Sequence, residues 1–177
     1  MPLRKEFAET IAKALALRKR TPEGDHAHRI FLHQAIVGPP NTGKTYLAKQ
    51  YIRALQQNGL ANKNIVLAEP RYYDQIIGDI RQAKGGVLLV DGWRGLYGAD
   101  MQGNALPHLR EAIVKNECTV ILLGDEKFLA DITRDPGISR RMNPPIILTP
   151  EAETALSHPI HTRKPLTFRQ RKEGEPS

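Results

Sequence analysis

The sequence predicts an α/β fold, a parallel sheet of about five strands with helices on both faces. Short apolar runs alternate with longer amphipathic segments along residues 30–148, the order that right-handed βαβ units impose. Two of those runs, Val87-Leu88-Leu89-Val90 and Val120-Ile121-Leu122-Leu123, are apolar at every position, as in strands covered on both sides. A length of 177 residues suits one domain with a real core rather than two.

The elements follow in order. Leu3 to Leu17 reads as a helix, with Phe7, Ile11 and Leu15 beside Ala8 and Ala12 on one stripe. Thr21-Pro22-Glu23-Gly24-Asp25 breaks that pattern. Ile30 to Val37 is an apolar segment ending at Gly38, read as a buried strand. Lys44 to Gln57 is a helix with Leu47, Tyr51 and Leu55 four apart and Asn58-Gly59 at its end. Ile65 to Leu67 is a short strand, Tyr72 to Ala83 a helix, and Val87 to Val90 a strand. Leu106 to Lys115 has helical spacing, and strands follow at Thr119 to Leu123 and Pro145 to Leu148. Periodicity fades beyond Pro150. The chain thus divides into an N-terminal helix and linker (1–29), a core (30–150) and a basic tail (151–177) expected to be flexible.

Charge and cysteine content exclude several classes. The net charge is +7, but the excess is spread: six Lys/Arg against four Asp/Glu in 1–28, fifteen against eleven in 29–150, and five against four in 151–177. Only Arg18-Lys19-Arg20 and the tail run Arg163 to Lys172 cluster, so a nucleic-acid partner would have to be held chiefly by the tail. The single Cys118 rules out an intrachain disulfide and reads as an inert apolar residue ahead of a buried strand. No apolar run is long enough for a membrane span, and Met1 to Glu9 lacks a signal-peptide apolar core, so a cytoplasmic setting is expected. His26, His28 and His33 have no carboxylate or Cys partners at ligand spacing and read as solvated or capping side chains.

The chemistry lies in Gly38-Pro39-Pro40-Asn41-Thr42-Gly43-Lys44-Thr45, which matches G-x-x-x-x-G-K-[ST]. Its glycines let the chain wrap closely around phosphates while successive amides point inward. Lys44 can reach β- and γ-phosphates, and the Thr45 hydroxyl can ligate Mg²⁺. The motif follows a predicted strand and opens a predicted helix, the context a P-loop NTPase needs. Asp91, ending an apolar strand, stands where a Walker B aspartate would hold the same ion. ATP and Mg²⁺ are the expected ligands.

The order of residues resembles the AAA+ ATPases, within them the branch of red-type Rubisco activases and type VII secretion ATPases. Asn58-Gly59-Leu60, Gly85 to Tyr97, Ala112-Ile113, Val120 to Asp125, Phe128-Leu129 and Asp135-Pro136-Gly137-Ile138-Ser139-Arg140-Arg141 resemble that branch's successive motifs. The resemblance implies that Arg141 acts as an arginine finger on a neighbouring subunit's nucleotide, with Arg140 the second candidate. It also implies that Asp125 stands at the sensor-1 position and orients the attacking water, although the same residue can simply cap a helix before Lys127-Phe128. A homo-oligomer, or a hetero-oligomer with another ATPase subunit, follows from a finger acting in trans. The protein client is left open.

Departures from that pattern are as informative. The family's Walker B continues with a Glu that polarises the hydrolytic water, and this chain has Gly92. The pore-loop aromatic corresponds to Ile76, and the 27 residues after Pro150 hold Pro159, Pro165 and Pro176 without helical spacing, so no lid is expected. Three readings stay open: a degenerate, slowly hydrolysing or purely ATP-binding module; an ATPase completed by Asp125 or a partner; and a superfamily 3 helicase-like enzyme, whose Walker A the loop also resembles. The stretch from Trp93 to Gly103 is expected to form a loop near the nucleotide.

Overall fold

The computed structural model describes residues 2–20, 31–69, 73–91 and 105–150. Its elements are α1 (Lys5–Arg20), β1 (Gln34–Val37), α2 (Lys44–Gln57), β2 (Ile65–Ala68), α3 (Tyr73–Gln82), β3 (Val87–Val90), α4 (Leu106–Lys115), β4 (Thr119–Gly124), α5 (Glu126–Arg134), α6 (Pro136–Ser139) and β5 (Ile146–Ile147). The strands form one parallel sheet in the order β2-β3-β4-β1-β5.

That order dictates where the helices lie. From β1 the chain crosses to the β2 edge, returns strand by strand to β4, and then steps past β1 to β5. Right-handed crossovers running in opposite directions must lie on opposite faces. Helix α2 therefore covers one face, and α3 to α6 cover the other. Burial follows this division. Ile36, Val87, Leu89, Ile121 and Leu123 share a core with Phe7 and Ile11 of α1 and Leu47, Tyr51 and Leu55 of α2. The alternate strand positions Ala35, Val37, Leu88, Val90, Val120 and Leu122 pack with Ile76, Leu109, Ile113, Phe128 and Ile138. The class read from the sequence, α/β with five parallel strands between helices, is the observed one.

Helix α2 has the bounds its spacing predicts, and its end shows why. Gly59 is left-handed (φ 66). Its amide donates to the Gln56 carbonyl and that of Leu60 to the Leu55 carbonyl, the two bonds of a Schellman stop. Helix α1 differs from expectation. Phe7, Ile11 and Ala14 are buried, whereas Ala8 and Ala12 are exposed. A helix resting on one neighbour buries a narrow stripe, and positions 8 and 12 fall beside it. Phe7 stacks on Tyr51 with ring centroids 4.3 Å apart, and the Tyr51 hydroxyl donates to the Leu32 carbonyl. Helices α5 and α6 were not assigned from the sequence, beyond Asp125 as a helix cap. Asp125 accepts the Phe128 amide (2.9 Å), and Asp135 accepts those of Gly137 and Ile138 (2.9 and 3.3 Å).

Strand β1 is shorter than the predicted segment, and His33 is the reason. Its Nδ1 accepts the Val120 amide at 2.9 Å, so an imidazole takes the place of a main-chain acceptor beside β4. Regular pairing starts one residue later, at Gln34↔Ile121. His33 is fully buried, which corrects the expectation of a solvated or capping ring. With Nδ1 accepting, the neutral ring carries its proton on the buried Nε2. Burial lowers the imidazole pKa to about 4, against a smaller opposite pull from the Ile113 carbonyl. The unfolded chain therefore takes up a proton between about pH 6.5 and about pH 4 that the folded chain refuses. Stability contributed by the neutral ring is present above that window and falls on acidification by on the order of 3 kcal/mol. Urea midpoints at about pH 7 and about pH 4.5 are expected to separate less in His33→Gln than in the unsubstituted chain. Equal separation would contradict the assignment.

Candidate functional site

Six residues, Gly38 to Gly43, turn the chain from β1 into α2. The Gly38 amide donates to the Gly124 carbonyl (3.0 Å), hooking the loop to the end of β4. A Cβ at position 38 would meet the Leu148 carbonyl oxygen at 2.7 Å and Thr42 Oγ1 at 2.9 Å, so close approach demands glycine. The Thr42 side chain is buried, and its hydroxyl donates to the Pro39 carbonyl (2.8 Å). Pro39, Pro40 and Asn41 are exposed. Asn41 and Gly43 are left-handed (φ 61 and 78). A Cβ at 43 would meet nothing within 4 Å, so there the backbone angle alone favours glycine.

The electrostatics of this turn suit an anion. Helix α2 begins with no side-chain cap and no acidic residue in its first turn, which leaves the positive end of its dipole uncompensated by carboxylates. Lys44 folds back over the loop, its ammonium donating to the carbonyls of Gly38 (2.8 Å) and Pro39 (2.5 Å). Thr45 is exposed one residue further along.

Topology adds a crevice. At the carboxyl edge the chain leaves β1 toward one face and leaves the adjacent β4 toward the other, the arrangement that opens a ligand cleft in α/β sheets. Gly38 to Gly43 and Gly124-Asp125 flank this switch point. Asp125 is exposed and caps α5. Asp91, half-buried at the end of β3, is anchored by its amide to the Ala68 carbonyl (2.9 Å). It stands two strands from β1, roughly 10 Å, a distance an ion with its waters spans rather than a direct contact. Among the described residues no three His, Cys, Asp or Glu side chains gather to hold a metal. Thr45 and Asp91 would therefore hold Mg²⁺ only with phosphate oxygens and water, the usual manner of that ion.

Arg140 and Arg141 are not brought to this loop. They precede Met142, which bridges to His33 at the amino end of β1, whereas the loop follows the carboxyl end. Strand β1 separates the two by roughly 13 Å at 3.3 Å per residue. Arg140 is exposed, and Arg141 Nη1 donates to the Gly137 carbonyl (3.1 Å), closing α6. Gly92, Trp93 to Gly103 and the tail 151–177 lie outside the described residues, as do His26 and His28. Ile76, on the inner face of α3, is fully buried.

Some structural polar residues escaped sequence reasoning. Arg110 forms an ion pair with Asp135 through Nε and Nη2. Burial raises the Asp135 carboxyl, but Arg110 and the Gly137 and Ile138 amides together outweigh it and hold the group below its usual range. An Asp directly before Pro136 is a helix-start signal that was there to be read. Asn143 donates to the carbonyls of Phe31 (3.1 Å) and His33 (3.0 Å), clasping the lead into β1. Cys118 is buried, and burial with the nearby Glu117 charge raises its thiol to about 12, so it is no nucleophile. A cavity of about 250 Å³ lies at the amino edge of the sheet, lined by Arg18, Leu32, Gly59, Gly86, Glu117 and Thr119 among others. Among the described residues it has no convergent charged cluster, and the Gly38 to Gly43 loop lies at the other edge. Two features thus converge at the carboxyl edge, a loop built for close approach and a lysine over an uncapped helix. In comparisons by sequence, no protein-family model and no curated protein matches this chain.

Proposed function

We propose that this chain is an ATP–Mg²⁺-binding module of AAA+ type, hydrolysing slowly or with a partner's help and acting as a nucleotide-dependent assembly or remodelling subunit. One observation carries the reading. The Gly38–Thr45 loop joins a buried parallel strand to a helix without a side-chain cap, beside the β1–β4 crevice, with Lys44 lying over its carbonyls. In this reading the loop amides and Lys44 bind the phosphates, Lys44 exchanging two carbonyl acceptors for phosphate oxygens. Thr45 and Asp91 would hold Mg²⁺, which would neutralise phosphate charge when bound. Asp125 lies across the crevice, where a carboxylate can orient water, but it also caps α5. Arg140 and Arg141, at the opposite edge from their own loop, would serve only the nucleotide of another subunit.

With glycine at 92, the chain supplies no carboxylate directly after Asp91 to act as general base. Phosphate release by the purified chain is therefore expected to be slow, and Gly92→Glu is expected to raise it at least about tenfold. Turnover by the unsubstituted chain at about 1 s⁻¹ or faster, the ordinary range for enzymes, would overturn the degenerate reading.

A further inference from the structure

Among the described residues, strand β2 is an edge of the sheet, paired only with β3. The amides of Val87 and Asp91 donate to the carbonyls of Asn64 and Ala68. Even-numbered residues of β2 thus turn their main chain toward β3, and odd-numbered ones turn N–H and C=O toward the open edge. Those odd residues, Ile65 and Leu67, also leave their side chains exposed, at 50% and 57%. An apolar, unpaired edge is a template for another strand, and Ile65 to Ala68 contain no proline or charge to blunt it. The nearest charges flank it: Lys63 on one side and Glu69 on the other, both exposed.

The order of those residues identifies the occupant. In a two-fold antiparallel pairing, each contact between positions i and j occurs twice. Outward main-chain groups on odd residues restrict the pairing to odd against odd. With the axis at Val66, Ile65 faces Leu67 of the second copy, and Lys63 faces Glu69 of the second copy. Moving the axis to Ile65 sets Lys63 against Leu67; moving it to Leu67 sets Glu69 against Ile65. Only one register matches apolar to apolar and cation to anion, as cross-strand pairs require.

We propose that β2 is a homodimerisation edge, through which two copies join their sheets antiparallel about a two-fold axis at Val66. The inference is independent of nucleotide binding, since β2 is three strands away from β1 in the sheet and leaves the Gly38–Gly43 loop uncovered. A strand this short buries less area than a standard stable interface, so the dimer is concentration-dependent.

Sedimentation equilibrium from low to high micromolar protein tests this. The unsubstituted chain is expected to move from monomer to dimer. Lys63→Glu and Glu69→Lys are each expected to weaken dimerisation about tenfold or more, because the two-fold repeats every like-charge contact. The double variant is expected to restore it. Val66→Cys gives a second readout. Directly opposed antiparallel residues have Cα atoms about 4.5–5.5 Å apart, within disulfide range. Oxidation is expected to yield a covalent dimer, with the buried Cys118 not competing. A chain that stays monomeric throughout would overturn the proposal. So would a dimer indifferent to single charge reversals, a double variant that does not recover, or Val66→Cys that does not crosslink.

Discussion

Phe7→Ala is expected to lower the free energy of unfolding by about 3–5 kcal/mol, the cost of deleting a buried aromatic ring and leaving its cavity. Phe7 is fully buried, and its ring stacks on Tyr51 at an interplanar angle of 14°. Tyr51 in turn is held by the Leu32 carbonyl just ahead of β1. The cavity would open between α1 and α2, where Ile11, Ala14, Leu47 and Leu55 belong to the same core and cannot all collapse into it. Domains of this size are stable by only about 5–15 kcal/mol, so such a loss is a large share of the whole. Urea unfolding followed by far-ultraviolet circular dichroism checks this. One cooperative transition, shifted to lower urea, is expected. A change under about 1 kcal/mol, or a separate early transition for α1, would mean that the first helix is an appendage rather than part of the core.

How far this fold could be read in advance differs by element. Helix α2 carries its own signals, a four-residue apolar spacing and a glycine whose left-handed turn stops the helix, and its bounds were legible. Strands β3 and β4 were equally plain, because burial on both faces leaves no polar position in Val87–Val90 or in Val120 to Leu123. The lead into β1 was not legible. Its limit is set by His33 accepting a hydrogen bond from Val120, 87 residues away, and no local pattern reports a partner so distant. Ala8 and Ala12 misled for a related reason. Small side chains fit either beside or within a contact stripe, and only the neighbour decides. Of α5 and α6 only the cap Asp125 was read, because their short apolar faces, Phe128 with Ile132 and then Ile138 alone, give little periodicity.

The candidate site divides in the same way. The turn from Gly38 to Gly43 was legible as the joint between β1 and α2, because its glycines stand where the backbone packs tightly or is left-handed. Asp91 and Asp125 were legible as residues at strand ends, and the sheet order puts both at the loop's edge of the sheet. The position of Arg140 and Arg141 at the other edge depends on the bridge from Met142 to His33, a tertiary fact.

Lys44→Ala is expected to cost about a hundredfold or more in affinity for ATP–Mg²⁺, since in the proposed reading it removes the charged partner of the phosphates. The fold should hardly notice. Lys44 donates only to two carbonyls at the loop's own mouth and lies outside both apolar cores. If the loop binds ATP as proposed, ATP at about a hundred times its dissociation constant is expected to add about 2.7 kcal/mol of stability to the unsubstituted chain. That corresponds to roughly 5–10 °C in Tm for a chain of this size. In Lys44→Ala the same ATP is expected to move Tm by less than about 1 °C, while the ligand-free Tm stays within about 2 °C of the parent.

The most direct measurement is a calorimetric titration of ATP with Mg²⁺ into the full chain and into Lys44→Ala. Saturable binding of one nucleotide per chain, lost in the variant, is the predicted result. No binding by the unsubstituted chain at millimolar ATP, or equal binding by Lys44→Ala, would contradict the assignment of the Gly38–Thr45 loop as its phosphate site.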